Sequence, residues 1–141
     1  LTIQKRLSVF ESPKKAMAKL AQEFFRQGYH ELKDDDLTQF VIHYGGAGGD
    51  LSESLEKRYR IEGYLNECLG WSGNGDCDGG EIGIQNGDMN IFCYVVDVQL
   101  AAKTILNELQ EKNELDGAVL AYCDENENYI TLYPEGAVFS L

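Results

Sequence analysis

The stretch DMNIFCYVVD, residues 88–97, is apolar on both of its alternating sides. Met89, Ile91, Cys93 and Val95 fall on one side, Phe92, Tyr94 and Val96 on the other. A strand of that kind must be covered on both faces, so it belongs inside a sheet. Asp97 is a good N-cap for the helix that the next residues predict, from Val98 to about Asn113, with Val98, Ala101, Ala102, Ile105 and Leu109 inward. On the other side, Asn86-Gly87 signals a hairpin back to a short strand around EIGIQ, residues 81–85.

Further toward the N-terminus, TQFVIHYGG from residue 38 reads as a strand with Phe40, Ile42 and Tyr44 on one face. The Gly-rich link GGAGGD leads from it into a helix expected over Leu51 to Leu69 and ended by Gly70. DGAVLAYC and NYITLYP read as two closing strands around the acidic turn DENEN. Residues 38–123 therefore spell strand–helix–strand–strand–helix–strand, the order of a ferredoxin-like split βαββαβ core in an α+β fold. That order predicts the first and third strands in the middle of the sheet and two helices on one face. The second face then needs a cover, for which an N-terminal helix and a partner chain are the candidates.

Residues 1–37 are expected to add an edge strand, LTIQKRLSVF, and a helix that starts at Ser12-Pro13. Met17, Leu20, Ala21 and Phe24 recur at helical spacing before Gly28 stops it. Residues 124–141 add the last strand. At 141 residues the whole is expected to be a single domain with a core of its own, in no need of a metal or a disulfide framework.

Charge narrows the function. The net charge of −12 argues against nucleic acid, whose binders carry a basic patch. No run of 18 apolar residues occurs and no basic-then-apolar leader opens the chain, so a soluble cytoplasmic protein is expected. The imbalance is local: residues 1–33 carry seven Lys and Arg against three Glu, while residues 34–141 carry five against 21 acids. Between Ile61 and Ala102 there are seven acids and no Lys, Arg or His. Such a stretch is either a solubilising surface or a docking face for something basic.

Two polar features stand out. On a helical wheel, Arg58 and Glu62 fall within the stripe formed by Leu51, Leu55, Leu65 and Leu69. A lone buried charge is too costly, so the two are expected to pair, or the Arg to orient a carboxylate loop or a ligand. The second feature is Asn74-Gly75-Asp76-Cys77-Asp78-Gly79-Gly80-Glu81, read as a loop with calcium-like alternation of oxygen side chains. Counted from Asn74, its twelfth position is Gln85 rather than a bidentate Glu, so no metal is expected. The remaining readings are a self-capping turn, or a recognition surface formed with Asp88 and Asn90.

Catalytic motifs are absent. Ser72 has no GxSxG around it, neither His30 nor His43 lies in a motif, and the Gly-rich stretch 45–49 lacks the Lys-Ser/Thr of a phosphate loop. Cys68, Cys77, Cys93 and Cys123 have no CxxC spacing, and Cys93 and Cys123 lie in apolar runs, so four free thiols are expected.

The sequence of Arg58, Glu62, Leu65 and then GDCDGGEIG ahead of MNIFCYVVD resembles small, acidic, uncharacterised bacterial proteins with an Arg-x3-Glu helix and a DGxEIG-like loop. In size, acidity and α+β build the chain also resembles immunity proteins of bacterial toxin–immunity systems. The expected function is non-catalytic: an acidic protein, without cofactor, that docks a basic protein partner through Asp76, Asp78, Glu81 and Asp88, as an immunity protein neutralises a toxin. The rival is a small-molecule- or metal-binding domain, or an enzyme, built on Arg58, Glu62 and residues 74–81. Association with further copies of itself is left open.

Overall fold

The computed structural model describes residues 12–29, 32–46 and 50–141. The strand expected over residues 1–10 lies outside them. The chain divides into an N-terminal unit ending at Asp34 and a larger unit, Asp35–Leu141. Within the first, helix α1 spans Pro13–Arg26; Ser12 is its N-cap, accepting from the Lys15 N–H, and Pro13 opens it. Gly28 follows the C-cap with φ +93°, a conformation glycine adopts without penalty.

The larger unit is α+β. After a 3-10 turn at Asp34–Asp36 come β1 (Thr38–Tyr44), α2 (Leu51–Ser72), β2 (Gly75–Ile82), β3 (Met89–Val95), α3 (Val98–Glu111), β4 (Ala118–Cys123) and β5 (Tyr129–Tyr133). The strands form one sheet in the order β2-β3-β1-β4-β5, with every neighbouring pair antiparallel. The first and third strands are thus interior, as the apolar run 89–96 demanded.

The first face of the sheet carries the main core. Phe40 and Ile42 of β1, Ile91, Cys93 and Val95 of β3 and Leu120 of β4 are fully buried against Ile61, Leu65 and Leu69 of α2 and Ala101, Ile105 and Leu109 of α3. Each such aliphatic side chain contributes roughly 1.5–3 kcal/mol on leaving water. Asp97 caps α3 as expected, its carboxylate accepting from the Leu100 N–H.

The second face has a smaller cluster, Val41, Ala121 and Phe139, with Phe92, Val119 and Tyr129 against it. Phe139 lies beyond β5, past a cis Tyr133–Pro134 peptide bond, so the segment after β5 supplies part of this face's cover. Its ring meets Tyr129 edge-on at 5.3 Å and the His43 ring at 5.3 Å.

Three local expectations need correction. Helix α2 passes through Gly70 and ends at Ser72, because Gly73, with φ 65°, is the residue that takes the left-handed cap. Its buried stripe is Ile61, Leu65 and Leu69, and Leu51, in the first turn and well ahead of the first buried residue, is exposed. The third concerns residues 74–81. They are not a loop: 75–82 is the edge strand β2, with a bulge between Cys77 and Gly80 where Gly79 takes φ +85°. Glycine is required twice here, because a Cβ at Gly75 would strike the Tyr94 carbonyl oxygen and one at Gly80 the Asn90 carbonyl oxygen. Close approach to β3, not metal binding, explains the glycines. The hairpin at Asn86-Gly87 is present, but its connection runs from Gly83 to Asp88, longer than a two-residue turn.

Candidate docking face

The strand register arranges the second face in rows. Glu81 of β2, Asn90 of β3 and His43 of β1 lie directly opposite one another. Asn90 donates from Nδ2 to Glu81 Oε1 at 3.0 Å, and His43 Nδ1 lies 2.8 Å from Asn90 Oδ1. A carboxylate only accepts, so Glu81 holds the Asn90 amide with its nitrogen outward to β2 and its oxygen toward His43. That oxygen can only accept in turn, so the His43 Nδ1 is the donor of this contact and, in the neutral ring, carries the proton. A second row, Asp76–Tyr94–Gln39, crosses the same strands nearer the other end of the sheet. There Tyr129 donates its hydroxyl hydrogen to Gln39 Oε1 at 2.7 Å. The apolar cluster of Val41, Phe92 and Phe139 lies between the two rows.

Both rows end in an acid on β2. Asp76 and Glu81 project from the second face and are exposed, as is Asp78 within the bulge. At the Glu81 end a shallow cavity of about 310 Å³ is lined by His43, Glu81, Asn86, Asp88, Asn90 and Ser140, among others. Asp88 has a different role from the other three. Its Oδ1 accepts the Gly46 N–H at 2.6 Å and its Oδ2 the Asn86 amide at 2.6 Å, so it ties the β2–β3 connection to the segment after β1.

Arg58 and Glu62 do pair, Nε to Oε1 at 2.6 Å, with side chains 19% and 15% exposed. The structure does not bring them to the acids of the second face. Helix α2 lies on the first face, so the sheet stands between this pair and the carboxylates of Asp76 and Glu81. The stretch 74–81 is extended rather than wrapped, and among the described residues no group of three His, Cys, Asp or Glu is placed to hold a metal ion. Asn74, the supposed first ligand, uses both amide atoms on the Asp97 backbone.

A smaller cavity of about 200 Å³ opens where the chain leaves β1; Asp50 and Glu53 line it beside Lys57, whose ammonium sits 4.1 Å above the Tyr44 ring. Two carboxylates make it a poor cradle for phosphate.

Sequence reading found Glu81 and Asn90 but missed His43, Gln39 and Tyr94 as their neighbours. The signal was the odd-numbered alternation of β1, which sends Gln39, Val41 and His43 to one face, but which strands flank β1 is a tertiary fact. The chain matches no protein-family model, no curated protein and no solved structure. Among the described residues no helix is long and apolar enough to cross a membrane.

Proposed function

We propose that the larger unit is a ferredoxin-like split βαββαβ domain, extended by β5, that binds a basic protein partner through the second face and the β2 edge. The four-strand order β2-β3-β1-β4, antiparallel throughout with α2 and α3 on one face, supports the fold assignment. The observation that carries the docking reading is the placement of Asp76, Asp78 and Glu81. All three are exposed on the edge strand, while the ion pairs among the described residues engage Glu23, Glu62, Glu108 and Glu114 instead. The chain places no cation anywhere in the 61–102 stretch to neutralise them. Exposed carboxylates that none of these ion pairs engages suit a partner with a cationic surface.

A toxin nuclease is one such partner, because its cleft must be positive to hold nucleic acid; an immunity role follows from that complementarity. The test takes as partner a basic protein whose gene neighbours this one and measures its association rate against salt. Asp76→Asn, Asp78→Asn and Glu81→Gln together should slow association at low salt, with the difference shrinking as screening shortens the reach of the charges. Equal association rates for parent and triple variant at every salt concentration would overturn the reading. A neighbouring metabolic operon in place of a basic toxin would favour a small-molecule site at the His43 cavity.

A further inference from the structure

We propose that Cys77 and Cys93 are a redox pair that closes into a reversible cross-strand disulfide, stapling the edge strand β2 to β3. The two residues are direct partners in the β2–β3 register, and both pack against the first-face core beneath the helices. All four cysteines are free thiols in the structure.

The hydrogen-bond pattern shows which kind of pair they form. The Val96 N–H donates to the Asn74 carbonyl at 2.8 Å, while the Asn74 N–H caps α2 on the Leu69 carbonyl, so Val96 points its backbone at β2 and occupies a hydrogen-bonded position of the ladder. Pairs alternate along an antiparallel ladder, so Gly75/Val95 is non-bonded, Asp76/Tyr94 bonded and Cys77/Cys93 non-bonded. An independent contact agrees: the Cys77 N–H points away from β3 and donates to Asn66 Oδ1 of α2 at 2.9 Å. Non-bonded partners have the closer side chains, with Cα atoms about 4.5 Å apart. That separation falls inside the range of about 4.4–6.8 Å that a disulfide spans.

The two thiols are not equivalent. Cys77 lies on the edge strand and is half-buried, whereas Cys93 is fully buried. A hydrogen bond from the Cys93 thiol favours the Cys77 thiolate, and the same contact, with burial, holds the proton on Cys93. The third thiol of the cluster, Cys68, donates to the Leu65 carbonyl, and burial together with Glu108 pushes it up to about 11. Cys77 is therefore the attacking thiolate and Cys93 the resolving thiol.

With hydrogen peroxide as oxidant the steps balance. The Cys77 thiolate attacks one peroxide oxygen, the O–O bond breaks, and hydroxide leaves, forming the Cys77 sulfenic acid. The Cys93 sulfur then attacks the sulfenyl sulfur; the S–S bond forms, the S–O bond breaks, and the Cys93 proton leaves with the departing hydroxide as water. Overall, two thiols and one peroxide yield one disulfide and two waters. The staple fixes the strand that bears Asp76, Asp78 and Glu81. Its bearing on docking rests on the proposed function; the disulfide itself does not.

The experiment treats the full chain with hydrogen peroxide and maps it by cleavage before aspartate, which puts Cys68, Cys77 and Cys93 on three separate peptides. The expected product has lost about 2 Da, the two thiol hydrogens, and joins the Asp76-Cys77 peptide to the one holding Cys93, reversibly with dithiothreitol. Cys77→Ala should abolish the mass loss. Cys93→Ala should stop at a sulfenic acid on Cys77 that dimedone traps; should that variant not fold, the edge-strand Cys77→Ala carries the test. A bridge to Cys68, a disulfide between two chains, over-oxidation without a bridge, or no reaction would each overturn the proposal. Loss of salt-dependent partner binding with the bridge still forming would overturn the docking reading alone.

Discussion

Asn74 and Asp97 grip each other through a closed pair of hydrogen bonds. The Asn74 amide donates to the Asp97 carbonyl at 2.8 Å, and the Asp97 N–H donates to Asn74 Oδ1 at 2.8 Å. Asn74 is the buried polar residue of the described chain, 4% exposed, and it fastens the start of β2 to the point where β3 passes into α3. Removing it leaves a donor and an acceptor of Asp97 without their partners. Asn74→Ala should therefore cost about 2–3 kcal/mol in denaturant unfolding. Asn74→Asp, which cannot donate and adds a charge beside a carbonyl, should cost at least as much; an unchanged midpoint in either variant would contradict the role.

The Arg58–Glu62 pair should be worth less than a fully buried one. Its side chains retain 19% and 15% exposure, so water screens part of the attraction. A double-mutant cycle with Arg58→Ala and Glu62→Ala should return a coupling of about 0.5–1 kcal/mol, above an open helical i,i+4 pair and well below the 3–5 kcal/mol of breaking a buried bridge. A coupling of zero would mean the contact contributes nothing in solution.

His43 should show a single tautomer, with the proton on Nδ1. Long-range nitrogen–proton NMR correlations of the neutral ring check this directly. In Glu81→Gln the side chain at 81 can donate as well as accept, so Asn90 is free to turn over and the two His43 tautomers should mix. A parent ring protonated on Nε2 would refute the relay from Glu81.

Stability should fall on the alkaline side. Burial pushes the Cys68 thiol up from the usual 9.0 to about 11 in the folded chain, and burial beside Glu114 raises the Tyr44 phenol. Above pH 9 the unfolded chain loses the Cys68 proton while the native chain keeps it, so the native state binds more protons and stability declines with rising pH. The contribution of Cys68 is complete below about pH 9 and is lost progressively up to about pH 11. Thermal melts from pH 8 to pH 11 should show a falling Tm, less steep in Cys68→Ala. An identical slope in the variant would remove Cys68 from the account.

The alternation of β1 and β3, the caps at Ser12 and Asp97 and the 3.6-residue spacing of α3 were all legible, because each is a pattern between residues a few positions apart. The pairing of Arg58 with Glu62 was legible for the same reason, being one helical turn. Residues 74–81 were misread because their composition is that of a turn. What makes them a strand is the backbone of β3, against which only glycine fits at 75 and 80. Likewise Arg60, whose guanidinium binds Glu114 from 54 positions away, carries no local sign of its partner.

Local pattern sets where α1, α2, α3 and the strands β1, β3, β4 and β5 form, and the residue count alone makes the chain from residue 34 onward strongly acidic. Strand pairing is what puts Glu81, Asn90 and His43 in one row, sets Cys77 opposite Cys93, and leaves Arg58 across the sheet from Asp76 and Glu81. The reason is range: periodicity and capping act within a turn or a strand, whereas register is set by which strands become neighbours, and that follows from burying Met89, Ile91, Cys93 and Val95 beneath the helices, while Phe92 and Tyr94 on the other side are half-buried and Val96 is exposed.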